Sequence, residues 1–80
     1  HSEENLRLVR ELIGGLALLE FDSESCESAA ATSSALRSAG ESIGIQDTMI
    51  AGMALRHGET LMTRNTQHYG RVRDLAIRTW

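Results

Sequence analysis

The sequence predicts a layered α/β fold with parallel strands, because short apolar runs alternate with longer segments of helical periodicity along its 80 residues. The predicted order is helix, strand, helix, helix, strand, short turn and strand. Glycines close the predicted helices, and no proline occurs anywhere in the chain. Two or three strands make a small sheet, so we expect further chain or a second copy to cover its edge.

The first helix is predicted over residues 3–14, and its acidic first turn favours the helix dipole. Its apolar residues recur at spacings of three and four, which is typical of one helix face: Leu6, Val9, Leu12 and Ile13. Gly14 and Gly15 end this helix. The apolar run Leu16–Phe21 that follows predicts a short strand.

A second helix is predicted to begin after Asp22 or Ser23, either of which can cap its amino terminus, and to end at Gly40. It is rich in Ala and Ser, so its small side chains allow close packing on a sheet or a partner. Cys26 is predicted to be a small packed residue of this helix. As the single cysteine it cannot form an internal disulfide, which fits a reducing, cytoplasmic setting.

A third helix is predicted over about residues 47–57, closed by Gly58. Four of its side chains are expected to share one face: Ile50, Met53, Ala54 and His57. Residues 60–63 predict a buried strand. A polar connection follows over residues 64–73, and a last strand over 76–80 carries Trp80 packed against the sheet.

Charge is distributed unevenly along the chain, although the formal total is only −3. Residues 1–55 carry three Arg against nine acidic residues, whereas residues 56–80 carry five Arg against two. The basic C-terminal third could therefore meet phosphate, with an ordinary solvated surface as the alternative. The apolar runs are far shorter than the roughly 20 residues that span a bilayer, and no secretory leader is visible, so we expect no membrane association.

Two polar residues mark a candidate metal site. Asp47 stands at the start of the third helix, and Asn65 follows the buried strand at its carboxyl end. Open α/β sheets bind ligands outside the carboxyl ends of their strands, and such oxygens suit a hard divalent cation. The structural alternatives are a helix cap for Asp47 and a turn for Asn65. A zinc site built from Asp47, His57 and His68 matches no familiar zinc spacing.

The basic C-terminal third also offers candidate RNA contacts. Arg64 and Arg71 could meet an RNA backbone, as could Arg73 and Arg78, while Tyr69 stacks on a base. The alternative is a set of solvated loop charges and a packed ring.

The segment Gly44–Tyr69 resembles the C-terminal half of a PIN domain of the VapC toxin type. The family's D-x-x-I-A motif, which opens a helix, corresponds to Asp47–Ala51. A glycine, here Gly58, and a strand ending in T-R-N, here Thr63–Asn65, then follow, with the His68–Tyr69 pair three residues on. A helix leading into the segment ALLEFDSES also fits, so the resemblance covers nearly the whole chain.

This resemblance implies a PIN-like three-layer fold, a parallel sheet flanked by helices, with residues 1–80 as the C-terminal part of a single domain that is incomplete at its N-terminus. It implies a Mg²⁺- or Mn²⁺-dependent endoribonuclease, the toxin of a toxin–antitoxin pair, with an RNA substrate, an antitoxin partner and often a homodimer. Asp47 would be the family's third acid and a metal ligand, and Asn65 would stand at the fourth position of the catalytic cluster.

The first two acids of that cluster are expected upstream of His1. The alternative function is therefore a non-catalytic interaction or dimerisation module derived from a PIN domain. A third possibility, a nucleic-acid binder without chemistry, rests on the basic C-terminal third alone.

Overall fold

The computed structural model describes residues 2–14 and 19–80, with the side chains of residues 11–14 outside the description. Its elements in chain order are α1 (Ser2–Gly14), α2 (Ser23–Ser38), α3 (Ile45–His57), β1 (Leu61–Met62), α4 (Thr66–Tyr69) and β2 (Ile77–Arg78). The strands β1 and β2 are parallel, with Leu61 opposite Ile77 and Met62 opposite Arg78. The predicted α/β arrangement with parallel strands is thus confirmed.

The strand predicted over Leu16–Phe21 is not observed in the part of it that the structure describes. Residues 16–18 lie outside the described residues, and residues 19–22 have no regular secondary structure. The predicted apolar face of α1 is described only in part, since Leu12 and Ile13 fall among the undescribed side chains. Leu6 and Val9 of that face are exposed.

Of the two residues predicted as possible caps of α2, Asp22 and Ser23, Asp22 is the cap. Its carboxylate accepts a hydrogen bond of 2.8 Å from the backbone N–H of Ser25, which would otherwise lack a partner in the first turn. The hydrogen bonds from the backbone and side chain of Ser25 lower the pKa of Asp22, and the charge of Arg56 adds to this effect. The same Arg56 forms a 2.7 Å ion pair with Glu24, which joins the last turn of α3 to the first turn of α2.

Close packing of α2 on α3 forms one half of the fold. The buried residues of α2 recur at spacings of three and four: Ser25, Ala29, Thr32 and Leu36. Cys26 lies one residue beside this line, about 100° around the helix, and is exposed, so the prediction of a packed cysteine is wrong. The small residues of α2 pack on a helix, α3, where an ideal Cβ built on Gly52 would lie only 2.6 Å from Cα of Ala29.

The face of α3 that packs is rotated from the predicted one. Its buried residues are Thr48, Ala51, Gly52 and Ala54. Of the predicted face only Ala54 is buried, while Ile50 is exposed. Small residues occupy the contact because α2 offers small side chains and the two backbones approach closely, which leaves no room for Ile50 or Met53.

A hydrophobic core joins α2 and α3 to the C-terminal elements. Its buried members are Leu36, Ile43, Ala51, Tyr69 and Val72, with Leu55, Leu61, Leu75 and Ile77 packed against them. The predicted polar connection over residues 64–73 contains the one-turn helix α4. Trp80 is 66% exposed and contacts the guanidinium of Arg64, 5.2 Å from the ring centroid, so its predicted packing on the sheet is wrong. Among the described helices, none has the length and apolar character needed to cross a membrane.

Candidate functional site

The carboxylate of Asp47 is free to face the sheet edge because it does not cap its own helix. The N-cap of α3 is Gly44, at φ 97°, and no side chain caps it. The hydroxyl and the backbone N–H of Thr48 both donate to the carbonyl of Gly44, at 2.6 and 3.0 Å. Asp47 therefore lies in the first turn, where its charge favours the helix dipole, and its side chain reaches across to α4.

Three polar side chains converge on this carboxylate. The hydroxyl of Tyr69 donates to Oδ1 of Asp47 at 3.0 Å. Nδ1 of His68 lies 3.2 Å from Oδ2, and in the tautomer with its proton on Nδ1 it donates to Asp47. The amide nitrogen of Asn65 lies 3.5 Å from the same Oδ2. The structure thus brings Asp47 and Asn65 together, as their positions beside the sheet predict.

The short helix α4 determines how these partners are presented. Asn65 is its N-cap, and its side-chain oxygen accepts from the backbone N–H of His68 at 3.4 Å. The hydroxyl of Thr63, just after β1, accepts from the backbone N–H of Asn65 at 3.0 Å. The turn that follows β1 therefore fixes the backbone of Asn65 and directs His68 and Tyr69 towards α3.

Tyr69 has a different environment from the predicted one. Its ring is 5% exposed and belongs to the core, so no face of it is open to a base, and the predicted stacking role is corrected. Burial, and then the hydrogen bond and charge of Asp47, raise the pKa of Tyr69 to about 12. The hydroxyl is therefore protonated at neutral pH and serves as a donor.

The two predicted RNA-binding arginines lie in different surroundings. Arg64 precedes Asn65 and is exposed, with its guanidinium over the ring of Trp80. Arg71 is partly buried, and its Nη1 donates to the carbonyl of Ser42 at 3.4 Å. Of the two, Arg64 is thus the more exposed arginine, and it is adjacent in sequence to Asn65, a neighbour of Asp47.

His68 and Tyr69 are the partners of Asp47 that reasoning from the sequence missed. The sequence indicates His68 only as part of a zinc alternative and Tyr69 only as a stacking or packed ring, and it predicts no hydrogen bond from either to Asp47. Their position in the turn directly after Asn65 is the signal that could have found them, since a one-turn helix there directs adjacent side chains to one region.

The described residues fit part of a divalent-cation site. Within residues 2–14 and 19–80, with the stated side chains excepted, no group of three or more His, Cys, Asp or Glu is placed to hold a metal. Asp47 supplies one carboxylate, the kind of hard oxygen donor that Mg²⁺ combines with water and substrate phosphates. The amide oxygen of Asn65 accepts from the backbone N–H of His68, and its amide nitrogen faces Asp47. Among the described residues Asp47, His57 and His68 do not form a zinc-binding group, and Nε2 of His57 instead lies 2.9 Å from the carbonyl oxygen of Glu20.

The protein is thus an α/β domain in which the carboxylate of Asp47 meets residues of the turn after β1 and of α4. Comparison with known proteins identifies its family. The chain belongs to the PIN domain family, whose profile matches residues 1–75. It is 30% identical over 78 residues to the tRNA(fMet)-specific endonuclease VapC of Salmonella typhimurium, which covers 98% of this chain.

Solved structures agree with the fold. The chain superimposes with a TM-score of 0.84 on a chain of the DNA-bound VapBC structure from Salmonella typhimurium, at 29% identity and over 98% of its length. A chain of the promoter-bound VapBC2 structure from Rickettsia felis also gives 0.84, over the same share and at 24% identity, which supports the fold alone. The chain spans 59% of the length of each of these three relatives.

Proposed function

We propose that the full-length protein is a divalent-metal-dependent endoribonuclease of the VapC toxin type, in which residues 1–80 form the C-terminal part of a single PIN domain. The observation that carries this proposal is the carboxylate of Asp47, held beside Asn65 after strand β1 of a PIN fold. The similarity to a VapC named as a tRNA(fMet)-specific endonuclease supports RNA as the substrate.

The residues of this chain have distinct roles in the proposed reaction. Asp47 would contribute a negatively charged ligand to Mg²⁺ or Mn²⁺, and Asn65 a neutral amide beside it. When bound, the metal would supply an activated water for attack on an RNA phosphodiester. Nδ1 of His68 and the hydroxyl of Tyr69 lie 3.2 and 3.0 Å from the carboxylate oxygens of Asp47, next to the proposed metal position.

Removal of divalent metal is the direct test of this function. We expect the full-length protein to cleave RNA when Mg²⁺ or Mn²⁺ is present and to stop when EDTA is added, because a carboxylate cluster alone provides no activated water. Cleavage products are measured on a denaturing gel, and re-addition of each metal in excess of EDTA is the control. Undiminished cleavage in EDTA would contradict the metal-dependent function.

Arg64 is proposed to contact the RNA backbone near the scissile phosphate, because this exposed residue directly precedes Asn65 in the sequence. We expect Arg64→Ala to weaken binding of a non-cleaved RNA and to reduce its salt dependence by about one phosphate contact. Fluorescence anisotropy over a salt series measures both quantities. Arg37→Ala, at an exposed arginine of α2 that is not a candidate RNA contact, is the matched control, and equal effects of the two changes would refute a specific contact by Arg64.

We also propose two protein partners, an antitoxin and a second copy of the chain. An antitoxin protein is proposed because the solved relatives are described as VapBC structures. A homodimer and a cytoplasmic setting are carried over from the resemblance and the single cysteine. Light scattering of the full-length protein tests the dimer, and a monomer mass would refute it. No specific observation favours the non-catalytic interaction module.

A further inference from the structure

Tyr69 connects the hydrophobic core to the carboxylate at the candidate site. Its ring packs in a cluster with Leu36, Ile43, Ala51 and Val72, and its 5% exposure leaves it little freedom to move. At the edge of this cluster its hydroxyl meets Oδ1 of Asp47 at 3.0 Å. A core residue thus supplies the shortest of the hydrogen bonds that Asp47 receives from α4 and its cap.

The two oxygens of Asp47 differ in the partners they meet. Oδ1 is held by the buried Tyr69, whereas Oδ2 is approached by Asn65 and His68, which are exposed and partly buried respectively. Partners on an exposed turn can move aside more easily than a ring packed in the core. Oδ1 is therefore the anchored oxygen, and Oδ2 is the one whose partners can exchange.

We propose that Tyr69 is a positioning residue that fixes the rotamer of Asp47 through Oδ1 and so preorganises the carboxylate as a cation ligand. This inference rests on the proposed function of Asp47 as a metal ligand. A tyrosine whose role was only to fill the core would be replaced equally well by phenylalanine, since the two rings pack alike. Phenylalanine lacks the hydroxyl that donates to Oδ1 of Asp47, so only the positioning role requires tyrosine.

The test removes this hydroxyl alone. In the full-length protein we expect Tyr69→Phe to weaken Mn²⁺ binding about tenfold, the lower end of the roughly 10–100-fold loss typical of outer-sphere partners. Isothermal titration with MnCl₂, checked by electron paramagnetic resonance of free Mn²⁺, measures the affinity without any RNA. Val72→Ala, in the same core cluster, is the matched control, and it should lower the melting temperature without changing the Mn²⁺ affinity.

A second readout needs no metal. Tyr69→Phe should lower the melting temperature of the metal-free protein in the native background and have no further effect in an Asp47→Ala background, because the acceptor is then absent. Equal shifts in the two backgrounds would overturn the proposed hydrogen-bond partnership.

The outcomes separate this inference from the proposed function. If Asp47→Asn loses Mn²⁺ binding while Tyr69→Phe binds Mn²⁺ as the native protein does, the positioning role is overturned and the function stands. If Asp47→Asn binds Mn²⁺ normally, the metal role of Asp47 fails and the inference fails with it. A Tyr69→Phe protein that is unfolded at the assay temperature would assign the hydroxyl to folding and also overturn the positioning role.

Discussion

Asp47→Asn in the full-length protein is expected to abolish metal-dependent RNA cleavage. Asparagine keeps the shape of the side chain and an oxygen that can accept from Tyr69, but it removes the negative charge that attracts a divalent cation. Since the loss of an outer partner of a metal ligand typically costs about 10–100-fold in activity, we expect more than about 100-fold for a ligand itself. Initial rates on a labelled RNA, at saturating Mn²⁺, measure this loss.

Asp74→Asn is the matched control for this substitution. Asp74 is exposed and has a φ of 66°, in the left-handed region that asparagine also tolerates, so the same chemical change there should leave the fold intact. Both variants change the net charge equally, which separates a site effect from a global electrostatic one. Cleavage by Asp47→Asn at the rate of the Asp74→Asn protein would remove Asp47 from the catalytic machinery and withdraw the main support for the proposed function.

Gly52→Leu is expected to destabilise the protein strongly. A Cβ at this position would lie 2.6 Å from both N and Cα of Ala29, so the first added carbon already meets backbone that no side-chain rotation can move away. Leucine has a better helix propensity than glycine, by somewhat less than the roughly 0.8–1 kcal/mol that separates glycine from alanine, and this opposes the effect. Overpacking typically costs about 1–3 kcal/mol, and we expect the upper end or more, because α2 and α3 must separate.

Urea unfolding monitored by circular dichroism measures the change, and the smaller Gly52→Ala substitution should give a smaller loss in the same direction. Ser34→Leu, at an exposed position of α2, is the control for adding a leucine to a helix of this protein. An unfolding midpoint for Gly52→Leu equal to that of Ser34→Leu would show that α2 and α3 do not meet at Gly52. Because a small domain has only about 5–15 kcal/mol of stability, the expected loss is readily resolved.

Much of the fold follows from local signals in the sequence. The cap of α2 at Asp22 and the end of α3 at Gly58, which has a φ of 66°, match their predictions because capping depends on a few neighbouring residues. Two of the three strands predicted from apolar runs, at residues 60–63 and 76–80, form the parallel pair, although each is only two residues long. The four-residue helix α4 was missed because one turn is too short to show a period of 3.6 residues.

The candidate site was only partly predictable, since its members come from two elements separated along the chain. Asp47 and Asn65 are predicted to be neighbours because Asp47 begins a helix and Asn65 follows a strand end. Nδ2 of Asn65 does lie 3.5 Å from Oδ2 of Asp47. The role of Tyr69 was not visible, because a tyrosine near arginines suggests stacking on a base as readily as packing in a core.

The sequence by itself determined the α/β class with parallel strands, the ends of α2 and α3 and the family resemblance, and it predicted Asp47 and Asn65 as neighbours in one candidate site. Only the tertiary structure decided which face of α3 is buried, because that depends on the small side chains that α2 presents to it. Tertiary structure also decided that Tyr69 is a buried donor to Oδ1 of Asp47. Burial and the distance between remote side chains arise from packing of the whole chain, and no local pattern encodes them.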